Sequence, residues 1–187
     1  MSLQDLPDLR TARCVLTVLR PENAHLLVRY RTDNAAHLLP WEPAPDPALG
    51  SLERATAKKA EQSPKEFGAG TAVQFLALDA STGDAVATCS FTNIVRGPLQ
   101  ACYLGYSVAQ DRQGQGVMFE VVQAGVDYMF GIGGLHRIMA NYMPSNIRSA
   151  ALLQRIGFER EGVARQYLKI AGRWEDMVLT ARLNPQP

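Results

Sequence analysis

The chain has 187 residues, of which 47% are hydrophobic and 20% charged, and its formal net charge is +1. This length favours one domain over residues 1–187, and the composition is that of a globular protein with a sizeable core. A nearly neutral chain has no overall electrostatic attraction for nucleic acid or anionic membranes, so we expect no direct DNA binding. No apolar run approaches the ~20 residues that span a bilayer, so we expect no membrane association.

The cysteines and histidines do not form a metal-binding pattern. The three cysteines, Cys14, Cys89 and Cys102, include no Cys-x-x-Cys pair, and the three histidines have no ligand spacing. We therefore expect no metal site, no disulfide framework and a reducing, cytoplasmic environment. Each cysteine has apolar or strand-like neighbours, which predicts a small core residue.

The first third of the chain predicts one strand and two helices. Residues 13–20 are rich in apolar and β-branched side chains, which is typical of a strand. Pro21 suits the first position of a helix that we expect to run to about residue 34. A second helix is predicted over residues 51–63, and the stretch from Pro64 to Gly70 is expected to end it.

Between these helices, residues 38–50 contain four prolines. Four prolines exclude a regular helix and stiffen the loop, which carries Trp41 and Glu42. A stiff loop on a rigid scaffold is a plausible wall of a substrate site. The alternative is a surface connector whose tryptophan is buried in the core.

The middle of the chain predicts an antiparallel meander, because short turns join its strands. The predicted strands are residues 73–78, 85–93 and 101–108.

The pattern then changes to alternating helices and strands. Apolar residues from position 117 to 130 recur at steps of three and four, which predicts an amphipathic helix. The strand predicted next, over residues 136–142, follows a strand and a helix, so a parallel crossover is expected. A helix over 146–156 and two strands over 158–170 and 173–183 complete an α+β fold. We expect a single mixed, mostly antiparallel sheet of about seven strands, with about four helices.

The sharpest local motif is the run from Asp111 to Val117, which contains Gly114 and Gly116. Two glycines at this spacing let successive backbone N–H groups point into one cavity. The helix that begins here adds its unpaired N–H groups and the positive end of its dipole, so the motif can cradle a pyrophosphate. The alternative is a plain glycine turn before a helix.

In its context this motif resembles the acetyl-CoA signature of the GNAT acetyltransferase superfamily, Gln/Arg-x-x-Gly-x-Gly/Ala. Gly114 and Gly116 match it, whereas Asp111 stands where Gln or Arg is usual. The resemblance implies that the strand before the motif splays from its parallel neighbour. It also implies that the pantetheine arm of acetyl-CoA fills the gap like an added strand. Acetyl-CoA is then a co-substrate, and no metal is needed.

Longer stretches resemble the RimJ branch of the Rim family, notably residues 136–144, Asn146-x-x-Ser149 and Trp174-x-Asp176. Membership implies acetylation of a protein N-terminal α-amine, here the N-terminal alanine of small-subunit ribosomal protein number five. The implied partner is that ribosomal protein, with possible ribosome contact, and the enzyme would be a monomer or homodimer. The alternatives are a GNAT enzyme for another peptide or small amine, and an acetyl-CoA-binding ribosome-assembly factor.

The resemblance also implies which residues bind the co-substrate. These are Tyr106, Ser107, Val108, Arg112, Gln113, Gly114, Gln115, Gly116, Val117, Met118, Asn146 and Arg148. A backbone N–H in the 106–108 stretch would stabilise the oxyanion, and the two arginines would meet phosphates or stay solvated. Asn146 would bond a pantetheine amide, and it can also cap its helix.

Two residues are candidates for catalysis. An α-amine has a pKa of about 7.7–8.0, so a carboxylate that binds the ammonium and relays its proton can suffice, and we assign this role to Glu42. Ser149 lies one turn after the helix start and is expected to protonate the leaving thiolate. Tyr106 and Tyr142 are rival donors, and a structural acid and a surface serine are the alternatives.

Three further residues are not assigned a catalytic role. Glu120 is disfavoured as a base because its helix should follow the pyrophosphate. Trp174 and Asp176 are expected to be structural, since a tryptophan on a late strand is more often buried than a ligand.

Overall fold

The computed structural model describes residues 6–44 and 46–185, and its strands form one eight-stranded sheet in the order β1-β2-β3-β4-β5-β6-β8-β7. Every neighbouring pair in this sheet is antiparallel except β5 and β6. The strands are β1 (Leu9–Arg10), β2 (Cys14–Val18), β3 (Val73–Asp79), β4 (Ala85–Val95), β5 (Ala101–Val108), β6 (Arg137–Tyr142), β7 (Glu159–Ile170) and β8 (Arg173–Leu183). The helices are α1 (Ala24–Asp33), α2 (Ala35–Leu38), α3 (Leu52–Ala69), α4 (Val117–Gly131) and α5 (Ile147–Ile156).

Helices cover both faces of the sheet. On β4, Cys89 and Phe91 are fully buried and pack against α4, where Gly125 leaves room for the phenylalanine ring. Thr88, next to Cys89, belongs instead to a hydrogen-bonded group that includes Tyr30 of α1. Since successive strand residues face opposite sides, α4 and α1 lie on opposite faces of the sheet. Helix α5 packs beside α4, and α3 packs beside α1.

The parallel strands β5 and β6 stay together only briefly. Their register runs from Ala101 opposite Arg137 to Tyr103 opposite Met139, and within the described chain no pairing between them continues beyond that point. Strand β5 nevertheless continues to Val108, still paired with β4, while β6 remains paired with β8. The two strands therefore splay apart and leave a gap in the middle of the sheet, which confirms the expected opening.

The predicted end of the second helix is wrong. Helix α3 does not stop at residue 63 but passes through Pro64 to Ala69, and Gly70 caps it in the left-handed conformation with a φ of 68°. Continuing the helix keeps Ser63 and Phe67 on its buried face. Burying a phenylalanine contributes about 1.5–3 kcal/mol, which offsets much of the hydrogen bond and steric cost of an internal proline.

The remaining elements follow the expected order. The additional eighth strand is β1, whose two residues were not predicted. Leu38 ends α2, and among the described residues that follow it the proline-rich loop forms only single 3-10 turns, at Leu39–Trp41 and Pro47–Leu49. No helix in the described ranges combines the length and apolarity that crossing a membrane requires.

The contact between α4 and β4 gives a stability prediction. A Cβ atom at Gly125 would lie 2.9 Å from Phe91 Cε2 and 3.2 Å from Cys89 Sγ, whereas at exposed Gly131, in the last turn of α4, it would meet nothing within 4 Å. We expect Gly125→Val to lower the free energy of unfolding by about 1–3 kcal/mol because it overpacks the core. Gly131→Val is the matched control and should change it by less than about 0.5 kcal/mol. Equal urea midpoints for the two variants would contradict this packing.

Candidate active site

A cleft of about 880 Å³ opens at the gap between β5 and β6. Strands β4, β5 and β6 form its floor, and the start of α5, the proline-rich loop, α1, α3 and the β7–β8 hairpin form its walls. Its lining includes Arg31, Trp41, Glu42, Lys59, Tyr103, Tyr106, Asn141, Tyr142, Asn146, Ser149, Tyr167 and Leu168. The cleft therefore brings together Glu42, Tyr106, Asn146 and Ser149, which are separated in sequence.

The free edge of β5 faces this gap. Ala109 N–H donates to Val86 O across the β4–β5 ladder at 2.8 Å. This hydrogen bond shows which residues of β5 direct their backbone groups toward β4. In an antiparallel pair, backbone groups point toward the partner strand at every second residue. Ser107 therefore directs its N–H and C=O to β4, whereas Tyr106 and Val108 direct theirs into the gap. These groups are available to an extended ligand.

The Gly-x-Gly segment lies at the end of this edge and leads into α4. Gly114 and Gly116 have φ values of 71° and 82°, a conformation that favours glycine, and Gly116 is the N-cap residue of α4. No side chain caps the N-terminus of α4 with a hydrogen bond. The first N–H groups of a 15-residue helix thus face outward without a capping side chain, as an anion site requires.

Arg13, which directly precedes β2, holds the glycine segment in place. Arg13 Nη1 donates to Gln115 O at 2.6 Å, and its Nη2 lies 2.7 Å from Glu120 Oε1. This hydrogen bond holds the pKa of Glu120 below its usual value. Glu120 is thus engaged in holding the segment. The motif gave no sign of Arg13, which lies about a hundred residues earlier.

The other polar residues of the segment are tied to three different elements. Arg112 forms an ion pair at 3.1 Å with Asp79, at the end of β3. Gln113 Nε2 lies 3.1 Å from His37 Nε2, and Arg148 Nη1 donates to Gln113 Oε1. Arg148 therefore lies beside the glycine segment, while the Arg112 side chain is directed toward β3.

Two residues of the segment can offer a ligand only their backbone. The side chains of Val117 and Met118 are buried, at 3% and 9% exposure, in the core under α4.

Asn146, Ser149 and Tyr106 form a connected group on the α5 side of the gap. Asn146 Oδ1 caps α5 by accepting from Ser149 N–H at 3.1 Å, and Ser149 Oγ lies 2.6 Å from the Tyr106 hydroxyl. Burial raises the pKa of Tyr106 to about 12, although the bond to Ser149 lowers it. Tyr106 is therefore protonated at neutral pH, and its hydroxyl is hydrogen-bonded to Ser149.

The Ser107 side chain is directed away from this group. Its hydroxyl accepts from Tyr30 at 2.9 Å and lies 2.8 Å from Thr88 Oγ1, on the α1 side of the sheet. The backbone groups of Ser107 are directed to β4 as well. Ser107 therefore holds β5 against β4 and α1, and its hydroxyl does not point to Ser149.

Glu42 lies on the α1 and α3 side of the cleft. Its carbonyl accepts from Ala171 N–H at 3.0 Å, so the β7–β8 turn holds the proline-rich loop in place. Its carboxylate lies 3.7 Å from Arg31 Nη2. Trp41 beside it is 40% exposed and lines the cleft, so the loop forms a wall and its tryptophan is not buried. Sequence reasoning missed Arg31 and Lys59, whose helices showed only apolar periodicity.

The expectation that Trp174 is a core residue is wrong. It is 61% exposed, because at this position β8 pairs only with the outermost strand, β7. Asp176 is structural as expected, since its Oδ1 accepts from Gln166 N–H at 2.9 Å where β7 bulges. Gln166 has a φ of 48° there.

The cysteines are core residues, as predicted. Cys14, Cys89 and Cys102 are free thiols with at most 1% exposure, and burial raises the pKa of each. None of them lines the cleft. In residues 6–44 and 46–185, no three acidic, histidine or cysteine side chains are grouped closely enough to hold a metal ion.

The gap beside β5 and the glycine segment at the start of α4 are the arrangement that the sequence resemblance implied for an acetyltransferase that uses acetyl-CoA. The chain belongs to the acetyltransferase (GNAT) domain family, whose model matches residues 13–159.

Comparisons over the full chain agree with this family. [Ribosomal protein uS5]-alanine N-acetyltransferase of Escherichia coli (strain K12) is 42% identical over 95% of this chain and 91% of its own length. The structure of ribosomal-protein-S5-alanine acetyltransferase from Vibrio fischeri matches with a TM-score of 0.90, 33% identity and coverage of 96% of this chain and 98% of that one. Mycobacterium smegmatis RimJ in complex with CoA-disulfide matches with a TM-score of 0.83, 28% identity and coverage of 97% and 89%.

Proposed function

We propose that this protein transfers the acetyl group of acetyl-CoA to the N-terminal α-amine of a protein that begins with alanine, namely the small-subunit ribosomal protein uS5. The acceptor is proposed from the Escherichia coli relative, because 42% identity extends over 95% of the chain. The observation that carries the reaction is the gap beside β5, which opens into a cleft with Glu42 on one face of the sheet and Ser149 on the other. Such a substrate places the reaction in the cytoplasm.

Acetyl-CoA would bind along β5 and the glycine segment. The pantetheine amides would pair with the backbone groups of Tyr106 and Val108, as a strand adds to a free edge. The side chain of Asn146 would contribute one further hydrogen bond. The pyrophosphate would lie against the backbone N–H groups of residues 113–118, at the positive end of α4.

The arginines near this segment would act unequally. Arg148 is exposed beside the glycine segment and can reach a phosphate while it also holds Gln113. Arg112 is already paired with Asp79, so a phosphate would have to compete with that carboxylate.

Acyl transfer then needs a neutral amine, a stabilised oxyanion and a protonated leaving group. Glu42 would bind the α-ammonium and accept its proton, directly or through water. The N–H of Tyr106 or Val108 would donate to the carbonyl oxygen as negative charge develops on it. Ser149 would protonate the departing thiolate and be resupplied by Tyr106, to which it is bonded.

The direct test is transfer to matched peptides. One peptide begins with free alanine and contains an internal lysine, and the second is identical except that its α-amine is blocked. We expect one acetyl group on the first peptide, at its α-amine, and none on the second, by mass spectrometry with fragmentation. Acetylation of the lysine in the blocked peptide at a comparable rate would contradict α-amine specificity.

The cradle assignment predicts the effect of Gly116→Glu. A side chain at φ 82° would strain the backbone, and its Cβ would lie 3.2 Å from Arg13 Nη2. It would therefore disturb the arginine that holds the segment and add a negative charge beside the proposed pyrophosphate site. We expect at least a tenfold loss of acetyl-CoA affinity by calorimetry, about 1.4 kcal/mol. Gly97→Glu is the control for backbone strain and added charge, since Gly97 also has a positive φ and lies in the β4–β5 turn, at the opposite end of β5. Equal losses in both variants would refute the cradle.

If Tyr106 resupplies Ser149 with a proton, the effects of replacing these two residues should be coupled. Ser149→Ala and Tyr106→Phe should each lower kcat more than they change KM for acetyl-CoA, because they act on the leaving thiolate in the transition state. If both belong to one route, the double variant should be little slower than the slower single variant. Independent, multiplying losses would separate the two residues, and a pure KM effect would assign Ser149 to binding.

The role of Glu42 predicts a change in pH dependence. Glu42→Gln keeps the size of the side chain but removes its charge and basicity, so transfer should slow most at low pH, where the amine is mostly protonated. The variant should partly recover as pH passes the amine pKa of about 7.7–8.0. Losses of roughly a hundredfold are typical for a general base. If profiles from pH ~6 to ~9 run parallel with a deficit below about threefold, Glu42 is not part of the mechanism.

A further inference from the structure

The acceptor side of the cleft contains more positive than negative charge. Arg31 of α1 and Lys59 of α3 line it, and Glu42 is the single acidic residue among its described lining residues. The Glu42 carboxylate lies 3.7 Å from Arg31 Nη2. Within the described chain Lys59 has neither a hydrogen bond nor an ion pair, and its side chain is exposed to the cleft. The surrounding protein and the nearby Arg31 lower the pKa of Lys59.

An acceptor that binds through its α-ammonium increases this imbalance. The ammonium would take up the charge of Glu42, which would leave Arg31 and Lys59 with only Glu66 of α3, whose carboxylate acts on Lys59 more weakly than that of Glu42. An anionic group on the acceptor restores the balance, and its attraction is strengthened because the cleft wall excludes part of the solvent. The phosphates of the co-substrate cannot serve, since the glycine segment does not line this part of the cleft.

The shape of the cleft indicates a peptide rather than a free amino acid. The pantetheine arm would fill the part of the cleft beside Ser149, and the remaining lining extends from Glu42 to the β7–β8 hairpin. The half-exposed side chains of Trp41, Tyr167 and Leu168 also line it, and they offer apolar contacts to residues after the first. The anionic group would then be an aspartate or glutamate side chain of the acceptor.

We propose that the acceptor carries an acidic side chain within its first few residues, which Lys59 binds with help from Arg31. The proposal rests on the proposed acetylation of a peptide α-amine and adds a rule for acceptor selection. Lys59 is a specificity residue here and takes no part in the chemical step.

The test uses alanine-starting peptides in which the second, third or fourth residue is glutamate, glutamine or lysine. The proteins are wild type, Lys59→Met, Lys59→Glu and the control Lys58→Glu, which makes the same charge change at an exposed neighbour outside the cleft. For at least one position, wild type should favour glutamate over glutamine by about fivefold or more in kcat/KM. Lys59→Met should abolish this preference, Lys59→Glu should favour the lysine peptide, and Lys58→Glu should behave as wild type.

Several results would overturn the proposal. These are glutamate and glutamine peptides within about twofold of each other at all three positions in wild type, an unchanged preference in the Lys59 variants, or faster acetylation of free glutamate than of acidic peptides. In the first two cases transfer to alanine-starting peptides would still occur and the proposed function would stand, whereas faster acetylation of free glutamate would count against both. Absence of transfer to every peptide would refute both.

Discussion

The early end of the pairing between β5 and β6 is the constraint on which the rest of the site depends. A sheet normally satisfies the backbone groups of an interior strand on both sides, and leaving them unpaired in a protein interior costs free energy. Here β5 is held along one edge by β4 while its other edge opens beyond Tyr103. The fold thus keeps the backbone groups of Tyr106 and Val108 available for a ligand.

The gap also divides the chemistry between two faces of one sheet. Residues on the α5 side, Ser149 and Tyr106, are hydrogen-bonded to each other and suited to supplying a proton. Residues on the α1 and α3 side, Glu42, Arg31 and Lys59, carry charges and are suited to receiving an amine-bearing chain. A thioester placed in the gap would be reached from both sides, so the two substrates would not compete for the same groups.

Much of this could be predicted from the sequence, because the decisive signals are local. The Gly-x-Gly segment, the apolar spacing of α4 and the turn residues between strands each reflect the physics of a few neighbouring residues. What escaped prediction depends on distant packing. Arg13, just before β2, supports Gln115 just before α4. Lys59 reaches the cleft only because α3 packs beside α1, and α3 passes through Pro64 to bury Phe67. Trp174 is exposed because it lies near the edge of the sheet, which its local pattern did not reveal.

Residue-resolved hydrogen exchange with and without coenzyme A tests the central claim most directly. The account predicts that the Tyr106 and Val108 amides exchange readily in the free protein and at least about tenfold more slowly with saturating coenzyme A, as new backbone hydrogen bonds form. The Ser107 amide, already directed to β4, should be protected in both states. Unchanged exchange at Tyr106 and Val108 despite calorimetrically confirmed binding would contradict the account, because the ligand would then lie outside the gap.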